Sequence, residues 1–115
     1  MKQLAALILL VTPALAEAPV VTDARTTAES NGFRFDVTLS HPDTGWDHYA
    51  DAWRVETVDG TVLGTRELAH PHVDEQPFTR SLSGVVVPEG ITQVVLRARC
   101  NVDGWSEEVF TLTLQ

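Results

Sequence analysis

One stretch of the chain alternates strictly between apolar and polar side chains, and this period of two constrains the fold more than any other feature. Within residues 33–40, Phe33, Phe35, Val37 and Leu39 alternate with polar residues. Residues two apart in an extended strand share one face of a sheet, so the pattern predicts a strand with one buried face. Since no helix-length 3.6-residue pattern accompanies it, we predict an all-β protein.

Other short β-rich runs surround this strand and are separated by turn sequences such as Asp59-Gly60 and Pro88-Glu89-Gly90. Seven strands in about a hundred residues predict a seven-stranded Greek-key β-sandwich. The predicted strands span 20–29, 33–40, 53–56, 61–68, 78–82, 93–100 and 105–114.

The second half of the chain carries a family resemblance. Residues 78–114 contain a strand ending in Leu82-Ser83-Gly84, a Pro-x-Gly turn, an alternating strand with outward arginines, and then Gly104-Trp105-Ser106. This order resembles the last three strands of a fibronectin type III domain, whereas Trp53 on the third strand resembles the immunoglobulin arrangement. The segments DTGWDHYADAW and AHPHVDEQPFTRS look like a module of small uncharacterised exported bacterial proteins. The resemblance implies a fibronectin III/Ig-like sandwich, a fold that supports many functions.

Residues 1–16 contain the three parts of a secretory signal peptide. Lys2 is followed by an apolar run at 4–11 and by the small-x-small sequence Ala14-Leu15-Ala16. We expect cleavage after Ala16, leaving one periplasmic or secreted domain over 17–115; an uncleaved anchor helix is the alternative. No later segment is long and apolar enough to span a membrane, and no cysteine follows the cleavage site as a lipoprotein would require.

The expected mature chain is strongly acidic. It contains seven arginines and 16 acidic residues, a net charge of −9. Such a surface repels nucleic acid and anionic lipid, so we expect neither as a partner. The charge suits solubility and is compatible with a cationic partner or a metal ion.

The histidines gather in the loops that should share one pole of the sandwich. These loops follow the second, fourth and sixth predicted strands, at 41–50, 69–77 and 101–104. All the histidines lie in the first two loops, and acidic residues accompany them: His41, His48, His70 and His72, with Asp43, Asp47, Asp74, Glu75 and Asp103. This asymmetry predicts that any function is located at this pole.

The spacing of the histidines suits a metal ion. His70 and His72 flank a proline in an extended segment, so their imidazoles project to one side. His48 or His41, or a carboxylate such as Asp74, would complete a three-ligand site for Zn²⁺ or Cu²⁺. The alternative is structural, with the same side chains bonded to loop backbone and His41 continuing the inward parity of its strand.

Cys100 is the single cysteine, so no disulfide framework is expected. Its position places it on the inward face of the sixth predicted strand. Its thiol is either buried and inert or a reactive site or ligand. If it reached the loop pole, it would shift the metal preference toward Cu⁺.

Asp51 and Arg80 share the parity of apolar neighbours and should point inward. An unpaired buried charge is very costly, so we predict that Arg80 meets Asp51, Asp74 or Glu75. The pair would lock a loop or, alternatively, clamp a substrate carboxylate.

Three aromatic residues, Trp46, Tyr49 and Trp105, are expected near the same pole, where they would cover the core or stack on a sugar or peptide. Motifs of the nucleophile-elbow, zincin and phosphate-loop types do not occur, so we expect a non-enzymatic protein. The leading hypothesis is an accessory or protein-interaction module that contacts another protein or a cell-envelope component. A small periplasmic copper- or zinc-binding protein is the alternative, and an enzyme is the third.

Overall fold

All the secondary-structure elements of residues 18–114 are β-strands. The computed structural model describes residues 18–114, and the predicted signal peptide at 1–16 lies outside them. No helix in this range is long and apolar enough to cross a membrane. The strands are β1 Val20–Glu29, β2 Gly32–Ser40, β3 Ala50–Thr57, β4 Val62–Glu67, β5 Phe78–Val85, β6 Gln93–Cys100, β7 Gly104–Trp105 and β8 Phe110–Thr113.

The strands form two antiparallel sheets, compatible with a β-sandwich. One sheet has the order β1-β2-β5, and the other has the order β4-β3-β6, with β7 and β8 both paired to β6. The all-β prediction is therefore confirmed, although the described residues form eight strands rather than seven.

The predicted last strand, 105–114, is divided in two. On β6, Arg99 and Leu96 are three positions apart, whereas their partners Trp105 and Phe110 are five positions apart. The two extra residues cannot join the ladder, so the chain leaves β6 at 106–109 and returns as β8.

Alternation on β2 and β6 builds the core between the sheets. Phe35 and Leu39 from one sheet, and Leu96 and Ala98 from the other, are buried. Trp53 of β3 is the largest fully buried side chain and belongs to the same apolar cluster. The inward faces predicted from the period of two are therefore correct for these two strands.

A buried carboxylate lies on the outer face of the five-stranded sheet. Glu56 Oε2 accepts hydrogen bonds from Arg54 Nε at 2.5 Å and from Arg97 Nε at 2.9 Å. The Arg54 guanidinium lies 3.9 Å from the centre of the Trp105 ring. Burial alone would raise the pKa of Glu56, but the bonds from Arg97 and Arg54 outweigh it and lower that pKa below its ordinary value. Trp105 is thus packed beneath an arginine.

A bulge in β3 overturns the predicted inward orientation of Asp51. Ala50 pairs with Cys100 and Ala52 pairs with Arg99, so Asp51 is an extra residue between them. Its carboxylate binds the Arg99 guanidinium on the outer face. Burial raises the pKa of Asp51 although Arg99 opposes the shift. Parity counted from the sequence fails here because the bulge adds one residue.

Candidate metal centre

Three loops meet at one pole of the sandwich. This loop pole consists of 41–50, 69–77 and 101–104. The His41 backbone N–H donates to Gln76 Oε1 at 2.9 Å, joining the first two loops. The Tyr49 N–H donates to Asn101 Oδ1 at 2.9 Å, and Asn101 Nδ2 donates to the Trp46 carbonyl at 3.0 Å, joining the first and third.

The centre of the loop pole brings together two imidazoles and a thiol. One ligand atom from each of His41, His48 and Cys100 lies within 4.8 Å of the others. His41 and Cys100 are buried, and His48 is half-buried. The two imidazole rings are 4.6 Å apart between centroids and nearly perpendicular, at 86°.

The strands and a short hairpin place these three side chains. His41 directly follows β2 and continues the inward parity of Leu39, while Cys100 ends β6 on the inward face of the opposite sheet. His48 comes from the loop, where its N–H donates to the Gly45 carbonyl at 3.1 Å. Two of the three candidate ligands are therefore fixed by strand ends and the third by a closed turn.

A carboxylate orients the first imidazole. Asp43 Oδ1 lies 2.5 Å from His41 Nδ1, which leaves Nε2 as the available ligand atom of that ring. Within residues 18–114, both His41 Nε2 and His48 Nε2 are buried and have no hydrogen-bond partner. Buried polar atoms are normally satisfied, and a carboxylate on the far nitrogen is the usual arrangement behind a metal-bound histidine.

Asp43 also joins two loops. Its side chain is fully buried. Oδ1 accepts a second hydrogen bond from the Ala50 N–H at 3.0 Å, and Oδ2 accepts one from the His72 N–H at 2.8 Å. The residue that positions His41 is thus held by the backbone of both 41–50 and 69–77.

The sulfur of Cys100 is held by the turn that follows it. The Asp103 N–H donates to Sγ at 3.3 Å, and the Asp103 carboxylate lies 3.8 Å from Sγ. Gly104 has a φ of +79°, a conformation that glycine adopts without a side-chain penalty. The turn therefore folds back over the thiol.

His70 and His72 lie side by side, but they are not part of the group formed by His41, His48 and Cys100, so the structure does not bring them together with His48 as predicted. Their rings are 4.6 Å apart. The His72 ring stacks on Phe78 at 3.9 Å and 9°, and its Nε2 accepts a hydrogen bond from Arg80 Nη2 at 2.8 Å. The exposed His70 donates from Nδ1 to the Pro71 carbonyl at 3.0 Å.

The surroundings of His72 lower its pKa and so favour its neutral form. Burial is the largest effect that lowers the pKa of His72, followed by the charges of Arg80 and His70. Arg80 Nη2 also lies 3.2 Å from Glu75 Oε1, so Glu75 is its partner among the three predicted. Asp74 is exposed. This group closes the 69–77 loop onto β5.

The aromatic residues divide between the loop pole and the outer sheet face. Trp46 is 65% exposed at the pole and meets the edge of Tyr49, with ring centroids 5.5 Å apart. Trp105 instead lines a groove of about 420 Å³ on the five-stranded sheet, together with Tyr49, Asp51 and Arg99.

Cys100 was expected as a ligand only on the condition that it reached the loop pole, and Asp43 was not singled out from the sequence. The place of Cys100 beside His41 could have been predicted, because each of the two residues lies at the end of a core strand and continues its inward parity. A signal for Asp43 was weaker, since its three hydrogen bonds come from residues up to 29 positions away.

Comparison with known proteins adds one relative. The chain is 44% identical over 98 residues to a protein of Halomicrobium mukohataei named "Putative lipoprotein". The match covers 85% of this chain and 48% of that protein, so the chain spans about half the length of the relative. No protein-family model matches the chain. No solved structure matches it either.

Proposed function

We propose that this protein binds a transition-metal ion through His41, His48 and Cys100. The observation that carries the proposal is the approach of their ligand atoms to within 4.8 Å of one another. Two imidazoles and a thiolate are a ligand set for zinc or copper. Around a bound ion such atoms would be about 3.3–3.8 Å apart, so binding would draw the three side chains slightly closer together than the 4.8 Å within which they lie.

The groups around the ligands support the same function. Asp43 fixes the His41 ring from behind, and the Asp103 N–H holds the Cys100 sulfur. Hydrogen bonds of this kind orient the ligand side chains before the ion arrives. Because two of the three ligand side chains are fully enclosed, the arrangement suits the retention of an ion, and we propose a binding rather than a catalytic role.

We further propose that the protein works outside the cytoplasm, as a fibronectin III-like sandwich. The predicted signal peptide and the printed name of the relative, "Putative lipoprotein", support export or association with the cell envelope. The order β1-β2-β5 against β4-β3-β6-β8, with chain crossings after β2, β4 and β5, supports a Greek-key topology. An experimental structure would test the topology.

Metal titration tests the proposed site. Reduced protein is loaded separately with Zn²⁺ and with Cu⁺, desalted, and analysed for bound metal. We expect about one equivalent of at least one of these ions. His48→Ala should abolish retention, whereas His70→Ala, which removes an exposed imidazole outside the cluster, should not. Retention of neither ion, or equal losses in the two variants, would contradict the proposal.

A second candidate function, contact with another protein, is favoured by the exposed apolar rim of the loop pole. Trp46 is 65% exposed and Val102 is 55% exposed, and Asn101 links their segments. The net charge of −9 of the expected mature chain favours a basic partner.

A photo-reactive residue at position 46 tests this contact in the native envelope. We expect one dominant crosslinked species whose yield falls with Val102→Ser. Val58→Ser, which alters a 68% exposed valine in the β3–β4 turn, should leave the yield unchanged. Absence of a crosslinked species, or equal effects of both substitutions, would exclude the contact.

A further inference from the structure

We infer that the ion is copper, held by two imidazoles and one thiolate without a fourth protein ligand, and that the site accommodates both Cu⁺ and Cu²⁺. This inference rests on the proposed function. It concerns the identity and redox chemistry of the ion, which metal binding alone does not determine.

The number of ligands is the first argument. Zinc in structural sites takes four protein ligands, whereas trigonal His₂Cys sites are typical of copper. Within residues 18–114, the group of close ligand atoms contains three residues. Both oxygens of Asp43 are occupied by hydrogen bonds, and Asp103 approaches the sulfur without belonging to that group. The described chain therefore supplies a three-coordinate set.

The chemistry of the donors is the second argument. Thiolate is a soft ligand that favours Cu⁺, and imidazole suits copper in both oxidation states. Among divalent ions of this series, Cu²⁺ also forms the most stable complexes with a given set of nitrogen and sulfur ligands. A site with one thiolate and two imidazoles can therefore retain copper after a one-electron change.

The charge and rigidity of the site are the third argument. The thiolate balances Cu⁺, and the buried Asp43 carboxylate and the Asp103 carboxylate near the sulfur supply the further negative charge that Cu²⁺ requires. His41 and Cys100 are fixed at the ends of strands in opposite sheets, so the ligands need not move far between the two states. Reduction adds one electron to the copper, and no ligand bond has to form or break.

His48 is the route of exchange with solvent. It is the one ligand of the three that is not fully buried, and it shares its short turn with the exposed Trp46. An ion or an electron would therefore enter and leave past His48, at the apolar rim of the loop pole.

Competition between metals provides the test. Full-length mature protein, reduced and anaerobic, is titrated with Cu²⁺, Cu⁺ and Zn²⁺ against chelators of known affinity. We expect copper to bind on the order of 100-fold more tightly than zinc. Cu²⁺ should give an intense visible absorption from charge transfer between the thiolate and copper. Reduction by ascorbate, with one electron per copper, should remove this absorption, and oxidation by ferricyanide should restore it. Cys100→Ser should lack this absorption, and His70→Ala should retain it.

The possible outcomes separate the two proposals. Zinc binding as tightly as copper would overturn the copper inference and leave the proposed metal site standing. Binding of copper with oxidation of the Cys100 thiol, and no reversible absorption, would overturn the two-state claim. Failure to bind either metal would contradict both proposals.

Discussion

At the scale of single residues, Asp43 connects more groups at the loop pole than any other side chain described above. It accepts hydrogen bonds from one imidazole and from two backbone N–H groups. A fully buried carboxylate is tolerated only when such donors surround it. Its position therefore depends on two loops, and the orientation of His41 depends on it in turn.

Asp43→Asn should weaken metal binding about 10–100-fold, because the amide cannot accept all three hydrogen bonds and no longer holds the His41 ring as firmly. Chelator competition at constant pH measures the change. Asp74→Asn removes an exposed carboxylate of the same pole and should have no effect. Equal affinity in the Asp43 variant and the wild type would show that this carboxylate does not orient a ligand.

Glu56 should make the free energy of unfolding depend on pH in the acid range. Its pKa in the folded protein lies below the ordinary value of 4.5, so its stabilising effect is complete above that pH. The effect is lost as the pH falls through the lower folded-state pKa. Urea unfolding across this range should show a shallower pH dependence for Glu56→Gln than for the wild type. Glu67→Gln, at an exposed carboxylate on β4, should follow the wild type; identical slopes for all three proteins would argue against the effect.

At the scale of strands, the alternation of apolar and polar residues predicts which side chains face the core. It does not predict how many residues lie between two successive residue pairs of adjacent strands. β2 and β6 were predictable because their inward positions repeat without interruption. The bulge at Asp51 and the break at 106–109 were not predictable, since each depends on how many residues of the paired strand β6 lie opposite that segment. Register is a property of two strands together.

The same distinction applies to the proposed metal site. The inward parity of His41 and Cys100 could be derived from their own strands. The pairing of His70 and His72 was also local and predictable. The spacing could not reveal that His72 has a structural role, in which its ring stacks on Phe78 and accepts a hydrogen bond from Arg80. Both partners come from the next strand.

The close approach of β4 to β5 should make Gly64 intolerant of larger side chains. A Cβ at this position would lie 3.1 Å from Leu82 Cδ2 and 3.4 Å from Val85 Cγ2. Gly64→Val should lower the free energy of unfolding by about 1–3 kcal/mol through overpacking between the sheets. Chemical denaturation measures the loss. Thr65→Val, at the exposed neighbour on the same strand, serves as the control, and a Gly64 variant as stable as this control would refute the tight packing.

At the scale of the whole molecule, the proposed ion would join the two sheets at one end. Its ligands come from the end of β2 in one sheet, from the end of β6 in the other, and from the loop between β2 and β3. Opening that end of the sandwich would break ligand bonds, so binding should favour the folded state.

Metal binding should therefore raise the melting temperature. With the free ion at 100 times its Kd, the folded state gains about 2.7 kcal/mol. In a domain of this size such a gain corresponds to a rise in Tm of about 10 °C or more. Calorimetry with and without the ion measures it. Cys100→Ser should show little of this rise, and a full shift in that variant would place the ion elsewhere.

The bridge made by Asn101 has a consequence for observing the loop pole in solution. The Tyr49 N–H is protected by a side-chain amide, because its acceptor is Asn101 Oδ1 and not a backbone carbonyl of the sheet. Amide hydrogen exchange at Tyr49 therefore reports the closing of the pole, whereas exchange within β3 and β6 reports opening of the sheet. The amide resonance of Tyr49 could thus report opening of the loop pole while the amides of the two sheets remain protected from exchange.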